Sequence, residues 1–191
     1  MKAHDESMKK EIVLASASPR RSDLLREAGV AFRVEPARVD EKDDPLGNPV
    51  EIVRHNAELK AEEVSGRFSG EIVLGADTVV ALGERVLGKP KDRDEAFSML
   101  RSLAGQTHEV HTGVCLILEN GAKDIFSVAT RVTFRELADE DIISYIRDVP
   151  VMDKAGSYAL QEQGARIVES VEGSRSNVIG LPVEEVLKRL V

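Results

Sequence analysis

The stretch Ile12-Val-Leu-Ala-Ser-Ala-Ser-Pro-Arg-Arg21 sets the reading of the whole chain. Its first four residues, Ile12 to Ala15, are the short apolar run of a buried strand. Ser16, Ser18 and Pro19 break that run, and Arg20 to Ala28 reads as a helix. Ser18 suits the N-cap, Pro19 the first helical position and Gly29 the C-terminal stop. Leu24, Leu25 and Ala28 give the helix one apolar face. A strand, a tight turn and a helix N-terminus with two arginines make an anion site. Free N–H groups, the helix dipole and the guanidinium forks all favour phosphate there. The plainer alternative is an ordinary βα unit with two solvated arginines.

Outward from this stretch, Phe32 to Val34 predicts a short strand, followed by an acidic loop from Asp40 to Pro49 that contains Glu41. Such a loop is ordinarily just solvated. Pro49 opens a predicted helix to about Val64, with Val50, Val53, Ala57, Lys60, Ala61 and Val64 near one face. Lys60 is either a snorkelling lysine at the core's edge or a cation reaching into a cleft. Ile72 to Leu82 is apolar except for Asp77 and Thr78, the pattern of a central strand. A carboxylate in such a run is costly unless paired, bound to metal or opening into a cleft. The structural alternative for Asp77 is satisfaction by backbone donors at a bulge near Gly75.

Further along, a helix is predicted from Asp92 to Ala104, with Ala96, Met99, Leu100 and Leu103 inward and Asp92 as its cap. A strand follows at Val114 to Leu118. His108 and His111 precede it, three apart in an extended segment and so on opposite faces, which argues against a shared metal site. Asn120-Gly121 reads as a hairpin turn into one or two strands between Asp124 and Phe134. Leu137 to Arg147 reads as an amphipathic helix. Asp153 to Gln161 is too polar for a core strand and too ordered in composition for a linker. Ala165 to Val171 suggests a strand, Gly173-Ser174 a loop, and Asn177 to Pro182 a turn into a final helix, Val183 to Leu190.

With 191 residues, 42% hydrophobic and 31% charged, the sequence describes a globular chain of one domain, 11–191, behind a loose polar tail, 1–10. No apolar run is long enough to span a membrane and the tail lacks a signal peptide's apolar core. The lone Cys115 cannot form an intramolecular disulfide and lies in an apolar run, as a packed core thiol would. A net charge of −8 argues against broad nucleic-acid binding, yet leaves room for a local cationic cleft and a small anionic substrate. Walker A, paired zinc cysteines and internal repeats are absent from the sequence.

Together these stretches resemble the Maf family of nucleoside triphosphate pyrophosphatases from about Ile12 to the C-terminus. The family's elements occur in order: SASPRR at 16–21, DE at 40–41, NAELKA at 56–61, GADTVV at 75–80 and GKP at 88–90. HEVHTGV at 108–114, DKAGSYALQ at 153–161 and NVIGLP at 177–182 complete them. The resemblance implies an α/β fold of the inosine-triphosphatase type, with an elongated mixed sheet flooring a cleft between two lobes. It implies hydrolysis between the α- and β-phosphates of a nucleoside triphosphate, yielding monophosphate and pyrophosphate, with a divalent cation such as Mg²⁺ or Mn²⁺.

By the same resemblance, Arg20, Arg21, Lys60 and Lys89 hold the triphosphate, with Ser16 and Ser18 in the binding turn. Glu41 and Asp77 engage the metal and the attacking water, Asp77 as general base. Pro19, Thr78 and Gln161 resemble the branch acting on dTTP and UTP, with CTP and modified pyrimidine nucleotides as further candidates. Arg20, Thr78 and Gln161 would then select the base. Glu162, where a glycine commonly stands, and Arg175, where an aromatic residue is common, depart from the family pattern. The expected setting is cytoplasmic nucleotide-pool house-cleaning, with a nucleoside triphosphate as partner, a homodimer as one arrangement, and neither nucleic acid nor membrane. The rival readings are a modified-purine pyrophosphatase and a regulatory nucleotide-binding protein acting in septum formation.

Overall fold

The computed structural model describes residues 11–190, so the expected tail over residues 1–10 lies outside the described residues. The first unit forms as the sequence predicts: β1 (Ile12–Leu14), α1 (Pro19–Glu27) and β2 (Phe32–Val34). Gly29 closes α1 in the left-handed region at φ 69°, where a glycine is strain-free. Ser18 takes the N-cap position with extended backbone, but its side chain makes no capping bond. Next come α2 (Pro49–Arg67), β3 (Ile72–Leu82) and β4 (Arg85–Leu87). The Asn48 side chain caps α2, accepting from the N–H groups of Val50 and Glu51. The rest of the chain supplies α3 (Arg93–Leu103), β5 (Thr107–Ile117), β6 (Lys123–Phe134), α4 (Asp139–Asp148), β7 (Val168–Glu172), α5 (Arg175–Ile179) and α6 (Val183–Leu187).

Seven strands form one mixed sheet in the order β2-β1-β3-β5-β6-β7, with β4 also on β3. β1 pairs in parallel with β2 and β3, and every other pairing is antiparallel. The long strands β3 and β5 run through two packed lobes. In one, α2 covers one sheet face through Ala57, Ala61 and Val64, while Leu24 and Leu25 of α1 and Val186 of α6 cover the other. In the second, α3 and α4 pack Leu100, Leu103, Ile142 and Tyr145 against Val110, Val132 and Phe134.

The edge of β3 that faces β1 has a gap, and the gap positions the cleft. β1 pairs only with Ile72 to Leu74, and β4 only with Val80 to Leu82. Between them, Gly75 to Val79 pair with no strand but β5. Side chains alternate along a strand, so Asp77 and Thr78 project to opposite faces. At an open edge, both remain within reach of one cleft.

Several boundaries differ from the sequence reading. β5 begins at Thr107, not Val114, because its polar first half is satisfied inside the fold. His108 Nε2 lies 2.9 Å from Tyr158 Oη, His111 Nε2 lies 2.9 Å from Glu109 Oε2, and Thr112 donates to Asn177 O. The two histidines therefore serve separate partners. The unpredicted β4 is only three residues long and is defined by its pairing with β3. Asn177 lies inside α5 rather than in a turn, anchored by Nδ2 donation to Val110 O and Thr130 Oγ1. Regular helix in α6 ends at Leu187, short of the expected Leu190. Cys115 is buried, and burial pushes its thiol up to about 12, as suits a core thiol.

Two glycines let α2 lie against the sheet backbone. A Cβ on Gly75 would come within 2.3 Å of Ala57 O, and one on Gly113 within 2.3 Å of Val53 O. Backbone cannot yield as a side-chain tip does, so Gly75→Ala should lower stability by about 1–3 kcal/mol. Urea unfolding measures this, and an unchanged midpoint would show that α2 shifts at little cost.

His108 provides a pH-dependent term. Burial lowers its imidazole to about 4, while its ordinary value is 6.5. Between those values the unfolded chain binds a proton that the folded protein refuses. Stability is therefore lost as pH falls from about 6.5 to 4, by up to about 3 kcal/mol from this group. Denaturation midpoints measured across that window should fall more steeply for the native protein than for His108→Gln.

Candidate active site

One cleft of about 340 Å³ opens at the gap in β3. It is lined by all ten residues singled out from the sequence: Ser16, Ser18, Arg20, Arg21, Glu41, Lys60, Asp77, Thr78, Lys89 and Gln161. Lys154 and Asp153 also line it. Five basic and three acidic side chains thus meet in a chain of net charge −8. Apolar side chains line it too, among them Val80, Val110, Leu160, Val178 and Ile179.

Asp77 is 7% exposed, and its two oxygens have separate partners. Oδ1 lies 2.8 Å from Lys60 Nζ, and Oδ2 accepts from Asn56 Nδ2 at 3.0 Å. Burial would raise the Asp77 carboxyl, but the Lys60 charge and hydrogen bond, the Asn56 amide and the Arg21 charge together hold it below its ordinary range. Its pairing with β5 runs in unbroken register from Val73 to Ala81, so there is no bulge and the backbone-donor alternative is excluded. Lys60 Nζ is also 2.8 Å from Glu41 Oε2, so this lysine reaches the cleft and does not snorkel outward.

Asn56 is the residue the sequence reading missed here. One helical turn before Lys60, it donates to Asp77 and to Lys42 O (3.0 Å) and accepts from Lys42 N (2.7 Å). The backbone clamp on Lys42 fixes the acidic loop and sets Glu41 beside Lys60. The spacing of four between two polar residues in the buried stripe of α2 was the available signal.

The two arginines of the opening stretch part company. Arg21 is buried, donating Nε to Gly180 O (2.8 Å), one terminal nitrogen to Ser16 Oγ (3.0 Å) and the other to Thr78 Oγ1 (3.1 Å). Burial lowers the Arg21 guanidinium, opposed by the Asp77 charge. Thr78 Oγ1 also lies 2.9 Å from Thr112 Oγ1, which makes Thr78 part of this network. Arg20 instead crosses the cleft, with NH1 2.7 Å from Asp153 Oδ2 and NH2 donating to Asp153 O. No side chain caps the first turn of α1, which leaves N–H groups there for an anion.

Asp153 and Lys154 went unnoticed individually because Asp153 meets the cleft through Arg20, 133 positions away, and Lys154 is buried only by the fold. Lys154 is 3% exposed, and its ammonium meets Pro150 O, Asp153 Oδ1 (2.9 Å) and Glu162 Oε1 (3.3 Å). The unusual Glu162 is thereby explained as a partner for a buried lysine. Arg175 opens α5 and does not line the cleft. Lys89 and Gln161 are exposed and have no side-chain partner among the described residues. They remain available to a ligand.

A protein named dTTP/UTP pyrophosphatase from Akkermansia muciniphila is 48% identical over 179 residues, covering 94% of each chain. One of the same name from Bacillus cereus is 43% identical, covering 97% of this chain and 90% of its own. A solved HAM1 protein from Coxiella burnetii superposes with a TM-score of 0.51 at 19% identity, over 94% of this chain and 99% of that one, a likeness of fold. The expected α/β fold of this type is the one observed. The Maf-like protein family model matches residues 11–191, and the chain belongs to that family.

Proposed function

We propose that this protein is a nucleoside triphosphate pyrophosphatase acting on dTTP and UTP, releasing the monophosphate and pyrophosphate. The observation that carries the reading is Asp77: a buried carboxylate, kept ionised, at the open edge of β3 within a cationic cleft. The relatives named above bear the same activity in their names. Hydrolysis between the α- and β-phosphates requires a nucleophilic water beside an anion that repels hydroxide. Asp77 supplies the base and orients the water, while the surrounding cations offset the phosphate charge.

The roles follow from what each side chain leaves free. Lys89 and the first turn of α1 offer donors to the phosphates without first breaking a protein contact. Arg20 joins them by exchanging Asp153 for phosphate, and Lys154 remains to neutralise Asp153. Arg21 and Thr78 hold the turn and the Gly180 carbonyl in place from beneath. The apolar side chains take the base, with the Gln161 amide reading its polar edge.

The donor set also suits a hard divalent cation of the Mg²⁺ or Mn²⁺ kind. Glu41 and Asp77 converge on one point, and such ions take one or two carboxylates plus substrate phosphates. Bound there, the ion would neutralise charge building on the phosphate oxygens. The described residues contain no helix long and apolar enough to cross a membrane, and we place the activity in the cytoplasm with its nucleotide substrates.

Pyrophosphate should be the primary product from dTTP or UTP, with turnover dependent on Mg²⁺ or Mn²⁺. A coupled assay that separates pyrophosphate from inorganic phosphate checks this across a nucleotide panel. Primary release of inorganic phosphate would place attack at the γ-phosphorus and overturn the reading. Tight binding without turnover would favour the regulatory alternative.

A further inference from the structure

We infer that the Lys60 ammonium is a built-in cation that bars divalent metal from the nucleotide-free protein, so that metal enters the cleft only together with the triphosphate. The first half stands on geometry alone; the second rests on the reading proposed above and names how that site is loaded. Nζ lies 2.8 Å from Asp77 Oδ1, 2.8 Å from Glu41 Oε2 and 3.5 Å from Ala76 O. Its three donors are therefore engaged, and it occupies the point on which both carboxylates converge. An ion ligated by the same oxygens would sit within a few ångströms of a second positive charge. In a site where Lys60 is 8% and Asp77 7% exposed, little solvent screens that repulsion.

The surroundings keep Asp77 from turning elsewhere, while Glu41 stays exposed on its loop. Asp77 Oδ2 is held by Asn56, and Asn56 is clamped in turn on the Lys42 backbone. α2 cannot retreat easily, since it is seated on the Gly75 and Gly113 backbone. Of the buried pair, Lys60 is therefore the member that must swing away, and it needs another anion to swing toward. A triphosphate supplies that anion. It also supplies the missing metal ligands, since among the described residues no cluster of three or more His, Cys, Asp or Glu could hold an ion alone. Metal and nucleotide should consequently raise each other's affinity.

The test is Mn²⁺ binding to the nucleotide-free protein, read by electron paramagnetic resonance at pH 8, for the native chain and Lys60→Met. Lys60→Met should bind one Mn²⁺ at least about tenfold more tightly than the native protein. Adding Asp77→Asn to that variant should abolish the gain and so locate it. A gain of binding does not arise from misfolding; if Lys60→Met does not fold, Lys60→Gln carries the same expectation. Equal Mn²⁺ affinity for the folded native and variant proteins would overturn the inference. The native protein should acquire tight Mn²⁺ binding on addition of α,β-methylene-dTTP. If it does not, while Lys60→Met binds Mn²⁺ alone, the barrier role stands and the metal–triphosphate reading falls.

Discussion

Asp77→Asn is expected to lower kcat by about 10²- to 10⁴-fold while nucleotide affinity is retained or improved. The substitution keeps size and shape but removes the base, and the cations that hold the phosphates stay in place. Affinity should not fall, because one negative charge near the phosphates is gone. A structural penalty accompanies the change. In the native protein both Asp77 oxygens accept, one from Lys60 and one from Asn56. An asparagine can offer its oxygen to only one of them and must turn its NH₂ toward the other, also a donor. Asn56 cannot flip to accept, since its oxygen already takes the Lys42 N–H. One buried mismatch should cost about 1–3 kcal/mol. Thermal stability alone is therefore no criterion, and kcat per folded molecule is. Near-native kcat in a folded Asp77→Asn protein would remove Asp77 from the chemistry.

The low-lying Asp77 carboxyl sharpens the expectation. Held below its ordinary range mainly by the Lys60 charge once burial is overcome, it is a weak base in the free protein. When Lys60 turns toward phosphate, that restraint loosens and the carboxylate becomes more basic as substrate arrives. The same pairing links pH to stability. A depressed carboxyl contributes stability fully above its unfolded value of 3.8, and this is lost as pH falls through the lower folded value.

The sequence reveals what is chemically out of place locally, and it hides what is ordinary locally but placed by distant partners. β3 was legible to its last residue because an apolar run has clear ends, and Asp77 because it is the only charge inside that run. Lys60 was legible as the cation in an apolar stripe. Asn56 was not, since asparagine on a helix is unremarkable until Lys42 and Asp77 fold against it. The polar half of β5 was hidden because its histidines and threonine find partners 2 to 65 positions away. Arg20 and Arg21, adjacent in sequence, looked equivalent. One faces the cleft and the other lies beneath it, a difference set by 3.6 residues per helical turn against the Gly180 loop. The gap in β3 was likewise invisible, because it depends on where β1 and β4 stop.

Gln161→Glu should lower kcat/KM for dTTP and UTP by about 10- to 1000-fold, equivalent to about 1–4 kcal/mol. The Gln161 side chain lines the cleft free of protein partners among the described residues, yet its backbone neighbours are fixed. Tyr145 Oη accepts from Ala159 N at 3.1 Å and lies 3.4 Å from Glu162 O, while Glu162 is drawn to buried Lys154. A free amide on a pinned turn is suited to reading a base edge. Thymine and uracil present carbonyl acceptors flanking an N–H donor, and an amide can answer both kinds of group. A carboxylate still accepts from the N–H but cannot donate to the carbonyl, and it brings a negative charge toward the phosphates. Cytosine offers an amino donor where thymine offers a carbonyl, a pattern that a carboxylate accommodates. The ratio of kcat/KM for dTTP to that for CTP should therefore fall, beyond any uniform loss from charge. A uniform loss across the panel would mean that the new charge acts on the triphosphate alone, and Gln161 would no longer be assigned to the base.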